Sequence, residues 1–194
     1  MLKKLLPLLL LFTGFQANAA ILFTEDFEPY SLDSTPSLTS SSNWDSNVNG
    51  IVKNDPIGGD KALTFNGVAG GVDLRSPHIY SSTGIFNISF DYLGTCNTGN
   101  CGGFFYNSLT GWVGTTTPYP DLLVDDGTWN TYNVTVSGSS VSLLFEDWNG
   151  SGPSYGNAWF DNILVTDGTV PEPSIIALFG LGLVGIGFAR RRRS

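Results

Sequence analysis

Residues 20–167 are organised as short runs of β-branched and aromatic residues separated by Gly, Asn, Asp, Ser and Pro. No stretch repeats apolar residues at the 3.6-residue spacing of a helix, so the pattern favours strands joined by turns. An all-β fold, an antiparallel β-sandwich or a barrel, follows from many short strands without a helix. The ten predicted strands are Ile21–Phe27, Gly50–Lys53, Ala62–Asn66, Val72–Ser76, Ile85–Leu93, Gly103–Tyr106, Tyr119–Val124, Thr128–Val136, Ser140–Glu146 and Ala158–Thr166.

Alternation along two of these strands predicts which side chains face the core. In "IFNISFDYL" one face is entirely apolar or aromatic, with Phe86, Ile88, Phe90 and Tyr92. In "TWNTYNVTV" the face predicted to be buried carries Tyr132, Val134 and Val136. Successive strand residues point to opposite faces, so each run presents one side to the core. The following "VSGSSVSLLFEDW" predicts a hairpin whose turn is 137–140.

Two segments, 95–120 and 147–158, are polar and rich in glycine, with aromatic residues between, and are predicted to be surface loops. Sugars stack on aromatic rings while amides and carboxylates bind their hydroxyl groups. The candidate ligand-binding residues are Trp112, Tyr119, Asp147, Trp148, Asn149 and Tyr155. Ordinary packing of the loops is the alternative explanation for these aromatic residues.

The charge of the central region excludes one class of partner. Between residues 20 and 169 there are three basic and sixteen acidic residues, a net charge of -13. Such a region repels phosphate backbones, so nucleic acid is excluded as a partner.

The two cysteines, Cys96 and Cys101, enclose only "NTGN". In an exported chain, cysteines this close are expected to form a local disulfide. A zinc site is not expected because there is no second cysteine pair and His78 is the only histidine.

The N-terminus predicts export. Lys3 and Lys4 precede an apolar run, and "ANA" at 17–19 has the small-x-small pattern of a cleavage site. Residues 1–19 are therefore predicted to be a secretory signal peptide. The apolar run is too short to span a membrane.

The C-terminal 25 residues contain three ordered elements. They are the Pro-Glu-Pro element Val170, Pro171, Glu172 and Pro173, the uncharged run 174–189, and the basic end Arg190, Arg191, Arg192 and Arg193. A helix over 174–189 would be about 24 Å long, close to the thickness of a bilayer core. By the positive-inside rule the arginines stay cytoplasmic, which places the domain on the outer side of the inner membrane. The prolines on either side of Glu172 keep the junction extended and accessible.

This C-terminus resembles the PEP-CTERM sorting signal of exopolysaccharide-producing Gram-negative bacteria. The resemblance implies processing by an exosortase, a membrane-embedded protease or transpeptidase. It also implies a membrane-anchored precursor that is afterwards sorted to the cell surface or extracellular matrix. The chain is thus divided into a signal peptide (1–19), a domain (20–169) and a sorting signal (170–194).

Three stretches of the domain, "ILFTEDFEPY", "GTWNTYNVTVSGSSVSLLFED" and "AWFDNILVTD", resemble the jelly-roll domains of the galactose-binding-like and carbohydrate-binding-module superfamily. The resemblance covers residues 21–167. It implies a structural Ca²⁺ held by Asp26 or Glu28 together with Asp161, because hard oxygen ligands suit that ion. The alternative is that Asp161 only bonds neighbouring backbone at a strand bend.

No catalytic motif stands out. His78 has no nucleophile motif near it, and carboxylates such as Asp125, Asp126, Glu146 and Asp147 are too abundant to identify a glycosidase pair. The main hypothesis is therefore a non-enzymatic surface or matrix protein associated with exopolysaccharide or adhesion. A polysaccharide-active enzyme and a structural matrix protein without a ligand are the alternatives.

Overall fold

The computed structural model describes residues 19–36, 44–47, 49–66, 72–96, 101–114, 123–149 and 156–168. These residues form strands joined by turns and irregular segments, and none of them lies in a helix. No helix able to cross a membrane is therefore found within the described ranges. The thirteen strands are β1 (Ile21–Glu25), β2 (Ser46–Asn47), β3 (Gly50–Asn54), β4 (Lys61–Phe65), β5 (Val72–Arg75), β6 (Ile79–Tyr80), β7 (Ile85–Gly94), β8 (Cys101–Asn107), β9 (Gly111–Gly114), β10 (Asn130–Ser137), β11 (Ser140–Val141), β12 (Leu143–Asn149) and β13 (Ala158–Asp167).

The strands form two main sheets and one short ribbon. The six-stranded sheet has the order β10-β7-β13-β4-β3, and β1 also pairs with β13. The five-stranded sheet has the order β2-β5-β12-β8-β9, and β11 pairs with β6. Every pair is antiparallel. Most neighbours are distant in sequence, so the fold depends on long-range pairing.

Aromatic rings from both sheets meet in the core. Phe90 of β7 and Phe160 of β13 come from the six-stranded sheet, and Phe105 of β8 and Phe145 of β12 come from the five-stranded sheet. The centroids of Phe90 and Phe105 are 4.7 Å apart, and those of Phe145 and Phe160 are 5.0 Å apart. All four rings are buried. The two sheets therefore pack face to face, which confirms the predicted antiparallel β-sandwich.

Local predictions from the sequence agree with the structure better than the predicted pairing does. The inward positions of β7 are fully buried, as alternation predicted. The predicted hairpin is wrong: β10 pairs with β7, and β12 pairs with β5 and β8 in the other sheet. In the predicted strand 119–124 only residues 123 and 124 are described, and neither is in a strand. The short strands β2, β6 and β9 were not predicted.

The segment 95–120 is less loop-like than predicted. Its described part contains β8 and β9, which pair from Phe104 with Gly114 to Asn107 with Gly111. Cys96 and Cys101, the first residue of β8, form the predicted disulfide. The predicted signal peptide and the predicted membrane helix at 174–189 lie outside the described residues.

The first strand, β1, pairs with the last strand, β13, so the N-terminal and C-terminal ends of the domain lie side by side. The N–H of Asp167 donates to the carbonyl of Ala20 at 2.8 Å. The Asp167 carboxylate also accepts hydrogen bonds from the hydroxyl groups of Ser81 and Ser82, the N–H of Ser82 at 3.1 Å and the hydroxyl of Thr83 at 2.8 Å. Asp167 thus fastens the loop before β7 to the end of β13. Residues Ala20–Gly168 form one compact unit.

Replacing Asp167 with asparagine should make stability less dependent on pH. The hydroxyl groups of Ser81 and Ser82 hold the pKa of Asp167 well below its ordinary value. A carboxyl with a depressed folded-state pKa stabilises the fold above its unfolded pKa of about 3.9, and this contribution is lost as the pH falls. We expect Asp167→Asn to lower the melting temperature at pH 7, and the difference from wild type to shrink below about pH 4. Asp45→Asn, at an exposed position, is the control, and a constant difference across pH would contradict the prediction.

Candidate ligand-binding face

The outer side of the five-stranded sheet carries aromatic side chains that alternation brings together. Phe145 points into the core, so its neighbours Leu144 and Glu146 point outward. In the antiparallel register, Glu146 lies opposite Phe104 and Leu144 lies opposite Tyr106. Tyr106 in turn lies opposite Trp112 of β9. Trp148 follows two residues after Glu146 on the same side of β12.

The rings of these residues are in contact. The centroid of Tyr106 lies 5.0 Å from that of Trp112. Phe104 lies 6.2 Å from Trp112 and 6.1 Å from Trp148, in each case with nearly perpendicular planes. Phe104 is buried beneath the two tryptophans, whereas Trp148 is 36% exposed. We call Phe104, Tyr106, Trp112 and Trp148 the aromatic face.

Two carboxylates lie next to the aromatic face. Glu146 of β12 is directly opposite Asp73 of β5. Burial raises the pKa of Glu146 to about 7, and the negative charges of Asp73 and Asp147 add to the rise. Burial also raises the pKa of Asp73, and Arg75 opposes this effect. Like charges directly opposite each other are unfavourable in a sheet. The pair places carboxylate oxygens beside the aromatic face.

The predicted ligand residues separate into three groups. Trp112 and Trp148 lie together on the aromatic face, although both are in strands and not in loops. Asp147 is fully buried on the inner side of β12. Tyr119, Tyr155 and the side chain of Asn149 lie outside the described part of the chain.

Sequence reasoning missed Phe104, Tyr106 and Asp73 as members of the face. Alternation within "GGFFYN" would have put Phe104 and Tyr106 on one side of a strand. The position of Asp73 beside Glu146 could not be predicted from neighbouring residues in the sequence, because β5 and β12 are almost 70 residues apart.

The residues predicted to hold calcium lie at the bend of β13. The pairing of β13 with β7 shifts register between Asp161 and Leu164, and Asn162 has a positive φ of 50°. Asp161 is 6% exposed, and its Oδ1 has no hydrogen-bond partner. Burial raises the pKa of Asp161 to about 7, its bond from the Asn162 backbone opposes this, and the charges of Asp60, Asp91 and Asp26 add to the rise. Acidic side chains thus surround an unpartnered buried oxygen.

Of the two predicted partners of Asp161, Asp26 contributes to its raised pKa and is therefore within electrostatic reach. Glu28 instead accepts the backbone N–H of Lys61 at 2.8 Å. In the described ranges, no three or more His, Cys, Asp or Glu side chains converge as metal ligands. The donor set at Asp161 still fits calcium, which also takes backbone carbonyls and water as ligands.

The carboxylates considered for catalysis lie in different local environments. Glu146 points outward, and Asp147 is buried on the opposite side of the same strand. Asp125 accepts the Tyr92 hydroxyl, whereas Asp126 accepts the N–H and hydroxyl of Thr128 within its own turn. Across the sheet, Glu146 pairs with Asp73 of β5.

Comparison with known proteins identifies the C-terminal segment. Residues 169–193 match the PEP-CTERM protein-sorting motif, which confirms the predicted sorting signal. The motif implies an exported, exosortase-processed protein with a membrane-anchored precursor. Among curated proteins, none matches the sequence.

Several solved structures are similar to the domain. The CBM22-1 xylan-binding domain from Paenibacillus barcinonensis has 13% identity and a TM-score of 0.44, with 79% of this chain and 99% of that chain covered. The tandem CBM22 structure from the same organism has 14% identity and a TM-score of 0.44 over 82% of this chain, which spans 50% of that longer chain. A carbohydrate-binding module from Cellvibrio mixtus lichenase 5A, in complex with cellotriose, has 16% identity and a TM-score of 0.41, with 77% and 99% covered. The chain thus carries a PEP-CTERM protein-sorting motif after a β-sandwich domain that is similar to carbohydrate-binding modules.

Proposed function

We propose that this protein is a non-enzymatic component of the cell surface or extracellular matrix that associates with exopolysaccharide, or acts in adhesion, through the aromatic face. The observation that carries the proposal is the cluster of four aromatic rings beside Glu146 and Asp73 on the outer side of one sheet. The precursor would be held in the inner membrane by 174–189, with the domain in the periplasm, until an exosortase processes it.

The chemistry of the face suits a sugar polymer. Aromatic rings accept the apolar C–H face of a pyranose, and a few polar groups beside them bind its hydroxyl groups. Glu146 and Asp73 supply acceptors, and Arg75 opposite Leu144 supplies donors. The aromatic face runs across β9, β8 and β12, so successive sugar units could lie across neighbouring strands.

Removing either tryptophan ring should weaken polysaccharide binding. We expect Trp148→Ala and Trp112→Ala each to reduce affinity for the exopolysaccharide of the producing bacterium by about tenfold, because each removes stacking and apolar burial of roughly 1.4 kcal/mol. Affinity electrophoresis of the full-length protein in gels containing that polysaccharide would measure the change. Tyr80→Ala is the control, because Tyr80 is 70% exposed and lies on β6, away from the aromatic face. Equal retardation of the tryptophan variants and wild type would contradict the proposal.

A reducing-end assay with the same polysaccharide, run beside the electrophoresis, separates the two alternatives. Glu146 and Asp73 are adjacent carboxylates, as a glycoside hydrolase requires. New reducing ends formed by wild type but not by Glu146→Gln would indicate hydrolysis and overturn the non-enzymatic proposal. Absence of both retardation and hydrolysis would favour a structural matrix protein without a sugar ligand.

We also propose a structural calcium ion at Asp161, with Asp26 as the second side-chain ligand. Support comes from the unpartnered Asp161 Oδ1 and from the negative charges around it. A bound Ca²⁺ would tie the end of β1 to the bend of β13 through oxygen ligands. The Asp161→Asn variant, in a calcium titration of the full-length protein, tests this site.

A further inference from the structure

A second buried carboxylate, distant from Asp161, also has an oxygen without a partner. Asp147 on the inner side of β12 is 0% exposed. Its Oδ2 accepts three backbone N–H groups, from Gly156 at 2.8 Å, Asn157 at 3.1 Å and Ala158 at 3.4 Å. Its Oδ1 has no hydrogen-bond partner. Leaving a buried charged oxygen unpaired is costly, so this oxygen is a position where a ligand is expected.

The space around Asp147 contains a second carboxylate and a hydroxyl group. The Tyr92 hydroxyl donates to Asp125 Oδ1 at 2.6 Å and accepts the N–H of Gly103 at 2.9 Å. Gly103 is the direct cross-strand partner of Asp147, so both positions face the same interior space. The Tyr92 hydroxyl therefore lies between the segment that carries Asp125 and the strand that carries Asp147.

Two glycines make room for this arrangement. A Cβ on Gly94 would lie 1.7 Å from Asp125 Oδ1, and a Cβ on Gly103 would lie 2.3 Å from Cε2 of Tyr92. The backbone N–H of Gly127 also donates to the carbonyl of Gly94 at 2.9 Å, which holds the Asp125 segment against β7. The Asp125 carboxylate and the Tyr92 ring thus occupy space that side chains at positions 94 and 103 would fill.

The electrostatics of the two carboxylates favour a cation. Burial raises the pKa of Asp147 to about 6, its three backbone hydrogen bonds oppose this, and the negative charge of Asp125 adds to the rise. The two carboxylates are therefore close enough to repel each other. A divalent cation would compensate both charges and provide a partner for Asp147 Oδ1.

We propose that Asp147 and Asp125 bind a divalent cation at this end of the sandwich, with Asp147 Oδ1 and the Asp125 carboxylate as ligands and Tyr92 beside them. Carboxylate and hydroxyl oxygens favour Ca²⁺ over softer transition metals. The site is separate from the one at Asp161, where Asp60, Asp91 and Asp26 are the neighbouring charges. The ion would join β12, the start of β13 and the 123–129 segment.

Calcium titration of the purified full-length protein in detergent, after removal of metal by a chelator, tests the second site. We expect wild type to bind two ions, with affinities on the order of 10⁻⁴ M as in extracellular modules. The single variants Asp161→Asn and Asp125→Asn should each bind one calcium ion, and the double variant should bind none. In the Asp161→Asn background, Asp125→Asn should abolish the remaining binding or weaken it at least about tenfold. Isothermal titration calorimetry reports the stoichiometry.

Asp126→Asn is the matched control, because Asp126 is adjacent to Asp125 but exposed and bonded within its own turn. It should bind both ions.

The Gly94→Ala variant provides a second test, because its Cβ would displace the Asp125 carboxylate. This variant should also bind one ion fewer than wild type. Near-ultraviolet circular dichroism would confirm that it is folded. Unchanged calcium binding when Asp125→Asn is added to Asp161→Asn would overturn the proposal. A wild type that binds no calcium would overturn both sites.

Discussion

Phe145→Ala should lower the free energy of unfolding by about 3–5 kcal/mol, the usual cost of removing a fully buried aromatic side chain. Phe145 is 0% exposed and lies at the centre of the aromatic core. Its ring centroid lies 5.0 Å from Phe160, 5.4 Å from Phe90 and 5.4 Å from Phe105. Alanine would remove contacts with both sheets at once and leave a cavity between them.

Urea unfolding followed by tryptophan fluorescence would measure this loss. Trp44, one of five tryptophans in the chain, lies 6.2 Å from Phe145 and contributes a signal from the core to the emission. Tyr80→Ala is the reference, because Tyr80 is an aromatic residue that is 70% exposed. We expect a change within about 0.5 kcal/mol for it. If Phe145→Ala were no more destabilising than Tyr80→Ala, the face-to-face packing described for the two sheets would be incorrect.

The second large effect is expected at Glu25, the last residue of β1. Its carboxylate accepts the N–H of Phe27 at 3.0 Å, the hydroxyl of Tyr30 at 3.1 Å and the indole N–H of Trp44 at 3.0 Å. Glu25 is 6% exposed, so these donors have little access to water when the carboxylate is removed. Phe27 has a positive φ of 54°, which the bond to Glu25 helps to hold. One acceptor group thus organises the segment after β1.

Glu25→Ala should therefore cost about 3 kcal/mol or more, because each buried donor left unpaired costs roughly 1–3 kcal/mol. Glu25→Gln is the matched control, since its amide oxygen retains one acceptor in a side chain of the same size. We expect the order of stability to be wild type, then Gln, then Ala, measured by urea unfolding. Equal stability of the Ala and Gln variants would show that the retained amide oxygen and side-chain volume contribute little, which would contradict the expected order.

Much of the fold could be predicted because strand character is local. Phe86, Ile88 and Phe90 alternate with polar residues, and the structure buries all three. Turn residues and the short spacing of Cys96 and Cys101 are equally local, and the disulfide is present. The sorting motif is a contiguous stretch, so its order of elements could be recognised without a fold.

The incorrect prediction with the largest effect on the fold concerns pairing. The sequence after β10 has the residues of a hairpin turn, yet β12 lies in the other sheet. The pairing of β10 with β7 places Tyr132 against Phe90, with ring centroids 5.6 Å apart, while Phe145 of β12 packs on Phe90 from the other side of the core. Burial of these rings favours placing β10 and β12 in different sheets. The residues of the turn between them do not indicate this.

The sequence by itself determined the all-β character, the inward faces of the strands, the disulfide and the sorting motif, because each depends on residues that are adjacent or a few positions apart. Only the tertiary structure decided that Trp112, Phe104 and Trp148 share one face and that Glu146 meets Asp73. Those neighbours are set by the register of strands that are far apart in the chain. A shift of one residue in that register would send every one of these side chains to the opposite face.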